Sequence, residues 1–107
     1  MKTIAAAELA AWLADPARPR PLLLDVREPW EHAICMIEGS LPVPMREIPN
    51  RVAELDDTQP TVCICHAGMR SAHVAMFLER QGWPEVYNLA GGVDAWARQV
   101  DTAMPVY

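Results

Sequence analysis

Two short apolar runs, Leu22-Leu23-Leu24-Asp25-Val26 and Thr61-Val62-Cys63-Ile64-Cys65, constrain the fold of this chain more than any other feature. Neither alternates apolar with polar residues, so neither can present one face to water, and both are short for a buried helix. They read as strands covered on both faces. Between and beyond them the pattern changes to helical spacing. Ala7 to Ala14 carries Leu9, Trp12 and Leu13 on one face and is stopped by Asp15-Pro16, with Pro19 and Pro21 following. Glu28-Pro29-Trp30-Glu31-His32 has proline where a helix opens, and Ser40-Leu41-Pro42-Val43-Pro44 is extended, its prolines confining any strand to an edge. Arg46 to Leu55 places Ile48, Val52 and Leu55 at i, i+4 and i+7, which predicts one helix. Ser71 to Gln81 offers Ala72, Val74, Ala75 and Leu78 to a core and is capped by Gly82 before Trp83-Pro84. Val86 to Leu89 reads as a last strand, Gly91-Gly92 as a turn, and Val93 to Val100 as a closing helix. Strands alternating with helices predict an α/β fold, a central mostly parallel sheet with helices on both faces.

Composition narrows the function classes. A chain of 107 residues, 51% hydrophobic and 21% charged, suits a single domain over residues 1–107 with a real core. Fourteen acidic residues against nine basic give a net charge of -5, and residues 54–107 hold three basic against seven acidic. Nucleic acid is therefore not expected as a partner. The N-terminus passes from Lys2 through Ala5 to Glu8 with no apolar run of signal-peptide length, and nothing approaches the roughly 18 apolar residues of a membrane span. No membrane partner is expected. Three cysteines, Cys35, Cys63 and Cys65, cannot all pair and suit a reducing compartment, so a cytoplasmic protein is the expectation.

The chemistry concentrates after the second apolar run. Ligands of parallel sheets gather beyond the carboxyl ends of the strands, where Cys65 sits. His66-Ala67-Gly68-Met69-Arg70-Ser71 follows, a tight loop running into a helix. Loop amides and a helix N-terminus would make an anion nest favouring thiolate over thiol at Cys65. Gly68 can adopt dihedrals closed to other residues, and Arg70 can close over the site as a forked donor to an oxyanion. The pattern is that of a nucleophile in an anion cradle.

The neighbouring candidates have plainer readings. A free cysteine on its own is most often a small buried apolar residue, which is the reading for Cys35 and Cys63. Cys63, Cys65 and His66 lack a second ligand pair at zinc spacing, so no metal and no other cofactor is expected. His66 and His73 are expected on the solvated surface, and His32 as a packing or helix-end residue. Asp25, an acid inside an apolar strand, needs donors, from loop amides or a cation. Arg27 is expected to pair with Glu31 across the short helix, and both Asp25 and Arg27 to support the site rather than react.

With these residues in view, the chain resembles a single rhodanese domain, of the sulfurtransferase superfamily, over nearly its whole length. Leu24-Asp25-Val26-Arg27-Glu28 with Glu31 is similar to that family's opening motif. Ile37-Glu38-Gly39-Ser40 with Val43-Pro44 resembles its middle motif, and Gly91-Gly92-Val93-Asp94-Ala95-Trp96 its closing one. Cys65-x-x-Gly68-x-Arg70-Ser71 matches the active loop, where the family carries a persulfide on the cysteine. Cys35-Met36 stands where the family usually has Gly-His before the middle motif. The ending, through Asp101 to Pro105-Val106-Tyr107, is similar to rhodanese domains fused behind ubiquitin-like-activating enzymes.

The resemblance implies transfer of sulfane sulfur from thiosulfate or a persulfide donor through a Cys65 persulfide, with a protein sulfur donor or carrier as partner. Cysteine phosphatases and arsenate reductases use the same thiolate and arginine, but resemble one another in having five residues between the two. Cys65 and Arg70 have four. A rhodanese fold serving only as a binding module is the third reading, disfavoured by the presence of both residues.

Overall fold

The computed structural model describes residues 1–107. In chain order the elements are β1 (Lys2–Ile4), α1 (Ala6–Ala14), β2 (Leu22–Asp25), α2 (Pro29–Ile34), β3 (Leu41–Pro42), α3 (Ile48–Arg51), β4 (Thr61–Ile64), α4 (Met69–Arg80), β5 (Val86–Leu89) and α5 (Gly92–Gln99). The sheet has the order β1-β5-β4-β2-β3, and all of its pairings are parallel. The two apolar runs lie side by side at its centre, Leu22 beside Thr61 and Asp25 beside Ile64. Pro42 lies on the edge strand, where its missing N–H leaves no ladder bond unmade.

Alternate side chains of the central strands enter two cores. Leu23, Val62, Ile64 and Leu89 meet Leu9 and Trp12 of α1 and Val93, Trp96 and Ala97 of α5. On the other face Leu24, Cys63, Cys65 and Val86 meet Ile48 of α3, Val74, Ala75 and Leu78 of α4, and Trp83. Every residue of β4 is buried, which is why its sequence cannot alternate. Leu9 and Leu78 are fully buried on opposite sides, and truncating either to alanine removes about 2–5 kcal/mol from a margin of about 5–15.

The structure departs from the sequence reading in two elements. Lys2–Ile4 forms a strand that the reading left out, because only Ile4 of the three is buried and the pairing to Tyr87, Asn88 and Leu89 is made by backbone. The expected helix from Arg46 to Leu55 is broken into the four-residue α3 between two 3-10 turns, Met45–Glu47 and Val52–Glu54. Pro49 explains the first break: it has no N–H and its ring clashes with a carbonyl four residues back, so it fits only a helix's opening turn. The helix α4 stops as Gly82 turns to φ +91°. Gly82 N–H bonds the Glu79 carbonyl at 3.0 Å and Trp83 N–H the Leu78 carbonyl at 3.2 Å, leaving Trp83 to pack in the core.

Candidate active site

Cys65 is the first residue beyond β4, and at 1% exposure it is buried at the base of the loop that leads into α4. Its Sγ accepts the Gly68 N–H at 3.0 Å and lies 3.2 Å from Ser71 Oγ. Gly68 sits at φ +106°, a backbone state that favours glycine, and α4 starts at the next residue. The loop is also held from α5. Val93 N–H bonds the Cys65 carbonyl at 2.9 Å and Asp94 N–H the His66 carbonyl at 3.1 Å. A Cβ on Gly92 would overlap both of those carbonyl oxygens, so only glycine allows the helix this close. Peptide groups are planar and trans, so with these carbonyls turned to α5 the amides of His66 and Ala67 face away from it.

Asn88 completes this part of the site, and the sequence reading missed it. It stands on β5, with Nδ2 donating to the Gly68 carbonyl at 3.0 Å and Oδ1 accepting from the Ser71 hydroxyl. The available signal was an amide inside an apolar strand, the same kind of clue that drew attention to Asp25.

A layer of charge lies beside the loop. Arg27 turns back on Asp25, Nε on Oδ1 at 3.0 Å and Nη2 on Oδ2 at 2.8 Å, both side chains buried. It also donates to the Cys35 carbonyl at 2.6 Å and to Tyr107 Oη at 2.9 Å. Burial opposes the guanidinium's charge, but the bonds to Asp25 and Tyr107 outweigh it and hold the group protonated above its ordinary range. Arg27 reaches only the backbone carbonyl of Glu31, at 3.3 Å, so the expected Arg27–Glu31 ion pair is absent. Residues two apart at a strand's end share a side, and Asp25 is the nearer carboxylate.

Glu31 instead binds Arg70, with Nη1 on Oε1 at 2.6 Å and Nη2 on Oε2 at 2.8 Å. The Tyr107 hydroxyl and Glu28 N–H also donate to this carboxylate, at 2.8 and 3.1 Å. Chiefly through Arg70, and against the cost of burial, its pKa is drawn down from 4.5 to about 2. Burial pushes the Tyr107 phenol the other way, up to about 12. The Arg70 fork, which the sequence reading offers to an oxyanion, is here engaged by a carboxylate.

The remaining loop residues divide by exposure. Ala67 and Met69 are exposed, Arg70 is partly buried, and Ser71 is fully buried. His73 is exposed as expected, but His66 is not a free surface side chain: its ring stacks on Tyr107 with centroids 4.1 Å apart. Cys63 is sealed in the core, where burial and then the proximity of Cys65 push its thiol up to about 12. Cys35 is buried and Met36 exposed, and all three cysteines are free. No group of three His, Cys, Asp or Glu side chains is arranged to hold a metal ion. No helix is long and apolar enough to cross a membrane.

Residues 5–99 match the model of the rhodanese-like domain. A protein of Allochromatium vinosum named sulfurtransferase is 43% identical over 77 residues, 72% of each chain. The probable adenylyltransferase/sulfurtransferase MoeZ of Mycobacterium tuberculosis is 35% identical over 98% of this chain, which spans only 27% of MoeZ. Among solved structures, a rhodanese-like domain protein from Staphylococcus aureus superposes with a TM-score of 0.84 at 30% identity, covering 100% of this chain and 99% of that one. A buried cysteine at the end of the central strand, a glycine-pinned loop and a sequence match over most of the length agree: the chain belongs to the rhodanese-like domain family.

Proposed function

We propose that this protein is a sulfurtransferase carrying sulfane sulfur as a persulfide on Cys65. The observation that supports it most is the pair of polar contacts at Sγ, the Gly68 amide at 3.0 Å and the Ser71 hydroxyl at 3.2 Å, on a sulfur buried among short loop peptides. The Cys65 thiolate attacks the outer sulfur of thiosulfate or of a donor persulfide. The donor's S–S bond breaks, its electron pair leaves with sulfite or with the donor thiolate, and Cys65 keeps the sulfur. An acceptor thiolate or cyanide then attacks that outer sulfur and the Cys65 thiolate returns. Neither step needs a metal or a nucleotide. Amides between His66 and Ser71 share the charge of thiolate and persulfide in a setting that requires little reorganisation.

Arg70, bound through both terminal nitrogens to Glu31, ties the start of α4 to α2 and steadies the loop. The engaged fork also weighs against a phosphatase reading, in which an arginine must turn to phosphoryl oxygens. The likeness to MoeZ supports a protein sulfur donor or carrier among the partners. Intact mass is the test: mixing with thiosulfate or a small persulfide adds one sulfur, cyanide removes it, and Cys65→Ser protein gains none. A folded Cys65→Ser variant that still moves sulfur at the full rate refutes the proposal.

A further inference from the structure

Asn88 is 7% exposed, and both ends of its amide are engaged by the residues that contact the reactive sulfur. The Gly68 carbonyl has no proton to give, so the amide's NH2 end must face it, which directs Oδ1 at Ser71. An amide oxygen has no proton either, so the Ser71 hydroxyl is the donor in that contact. A serine has a single hydroxyl proton. With that proton on Asn88, Ser71 presents a lone pair to Sγ 3.2 Å away, which suits a protonated Cys65 donating its S–H. When the sulfur is anionic, the same proton must swing from Asn88 Oδ1 to Sγ.

The amide's other end acts on the backbone. The Gly68 carbonyl and the Met69 N–H belong to one peptide, so the bond from Nδ2 fixes the plane of the peptide that enters α4, next to a Gly68 φ of +106°. Glycine imposes no such angle by itself. The Gly68 N–H that meets the sulfur lies in the preceding peptide, across that φ.

We propose that Asn88 is a positioning residue for Cys65: one amide holds the Gly68 peptide and the Ser71 hydroxyl against the sulfur, and lends the hydroxyl proton a second acceptor. The proposal rests on Cys65 being the nucleophile and extends that reading to β5. The ionisable groups on the elements packed around the sulfur are Cys63 on β4, His66 in the loop with Tyr107 stacked on it, Arg70 on α4 held by Glu31 of α2, the Asp25–Arg27 pair at β2, and Asp94 on α5 paired with Arg98. Neither side-chain bond of Asn88 involves any of them.

Asn88→Asp is nearly isosteric, removes the donor to Gly68 and places negative charge next to Ser71. Asn88→Ala removes both contacts without adding charge. Thermal melting establishes folding, and peptide mass mapping follows iodoacetamide alkylation of Cys65 against pH. In Asn88→Asp the alkylation midpoint moves up by about one pH unit, since a like charge disfavours the thiolate. Sulfur loading below the midpoint slows about tenfold, the same shift read at fixed pH. Asn88→Ala loads more slowly with a smaller movement of the midpoint, and it decides the matter if the aspartate variant does not fold. Folded variants with the wild-type midpoint and loading rate overturn the proposal. If wild-type protein loads no sulfur while Asn88→Asp still moves the midpoint, Asn88 keeps its role and sulfur transfer is the reading that fails.

Discussion

Replacing Glu31 with glutamine should remove a pH-dependent part of this protein's stability. The carboxylate is buried and accepts from both nitrogens of the Arg70 fork, from Tyr107 and from Glu28 N–H. Its pKa is about 2 in the folded chain against an ordinary 4.5. A depressed folded pKa contributes stability that is complete above the unfolded value and lost as pH falls through the folded one. The shift corresponds to about 3 kcal/mol at pH 7. Arg70 is one-third exposed, and screening through it brings the realised figure nearer 2 kcal/mol. About six-tenths of the effect remains at pH 3.5 and about a quarter at pH 2.5. Urea unfolding of wild type and Glu31→Gln at pH 7, 3.5 and 2.5 measures this directly, because every other carboxylate titrates in both proteins and cancels in the difference. The glutamine variant should be the weaker at pH 7, and the gap should close as acid is added. A gap of equal size at pH 7 and pH 2.5, or none at pH 7, refutes the assignment of Glu31 as a charged anchor for Arg70.

Gly92→Ala should cost about 3 kcal/mol or more, or prevent folding, since its Cβ overlaps the carbonyls of Cys65 and His66 at a backbone angle of φ +57°. A melting temperature within a few degrees of wild type would contradict that packing. Arg70→Ala should slow sulfur loading from thiosulfate and from a neutral persulfide to similar extents, because its fork holds Glu31 rather than the donor. Arg70→Lys should rescue only part of the loss, lacking the paired geometry. A selective loss of thiosulfate use in single-turnover kinetics would instead place the guanidinium on the sulfonate.

The parts of this fold legible in the sequence are those whose burial leaves a local mark. β2 and β4 are sealed on both faces, so their apolar runs are continuous, and the loop after β4 announces itself by a cysteine, a glycine and an arginine at close spacing. β1 leaves no such mark, with one buried side chain in three. Around Pro49 a local pattern misleads, because helical spacing in apolar side chains says nothing about a missing N–H. The charged layer was misread for a different reason. Glu31 has an arginine four residues before it and another 39 residues after it, and only the three-dimensional arrangement decides for the distant one. Asn88 was missed likewise, its partners lying 17 and 20 residues away on another element.

The Tyr107 side chain bears on when the site comes into being during folding. Its hydroxyl bridges Arg27 and Glu31, residues 80 and 76 positions earlier in the chain, and its ring stacks on His66. Contacts of such separation are costly to close in an unfolded chain, and they become cheap once β2, β4 and α5 are packed and only the short segment beyond α5 is left to order. A chain growing from its N-terminus can complete both central strands and the Cys65 loop while Glu31 and Arg27 still lack this partner. The layer beside the sulfur therefore closes last, and its assembly reports that the segment beyond α5 has docked.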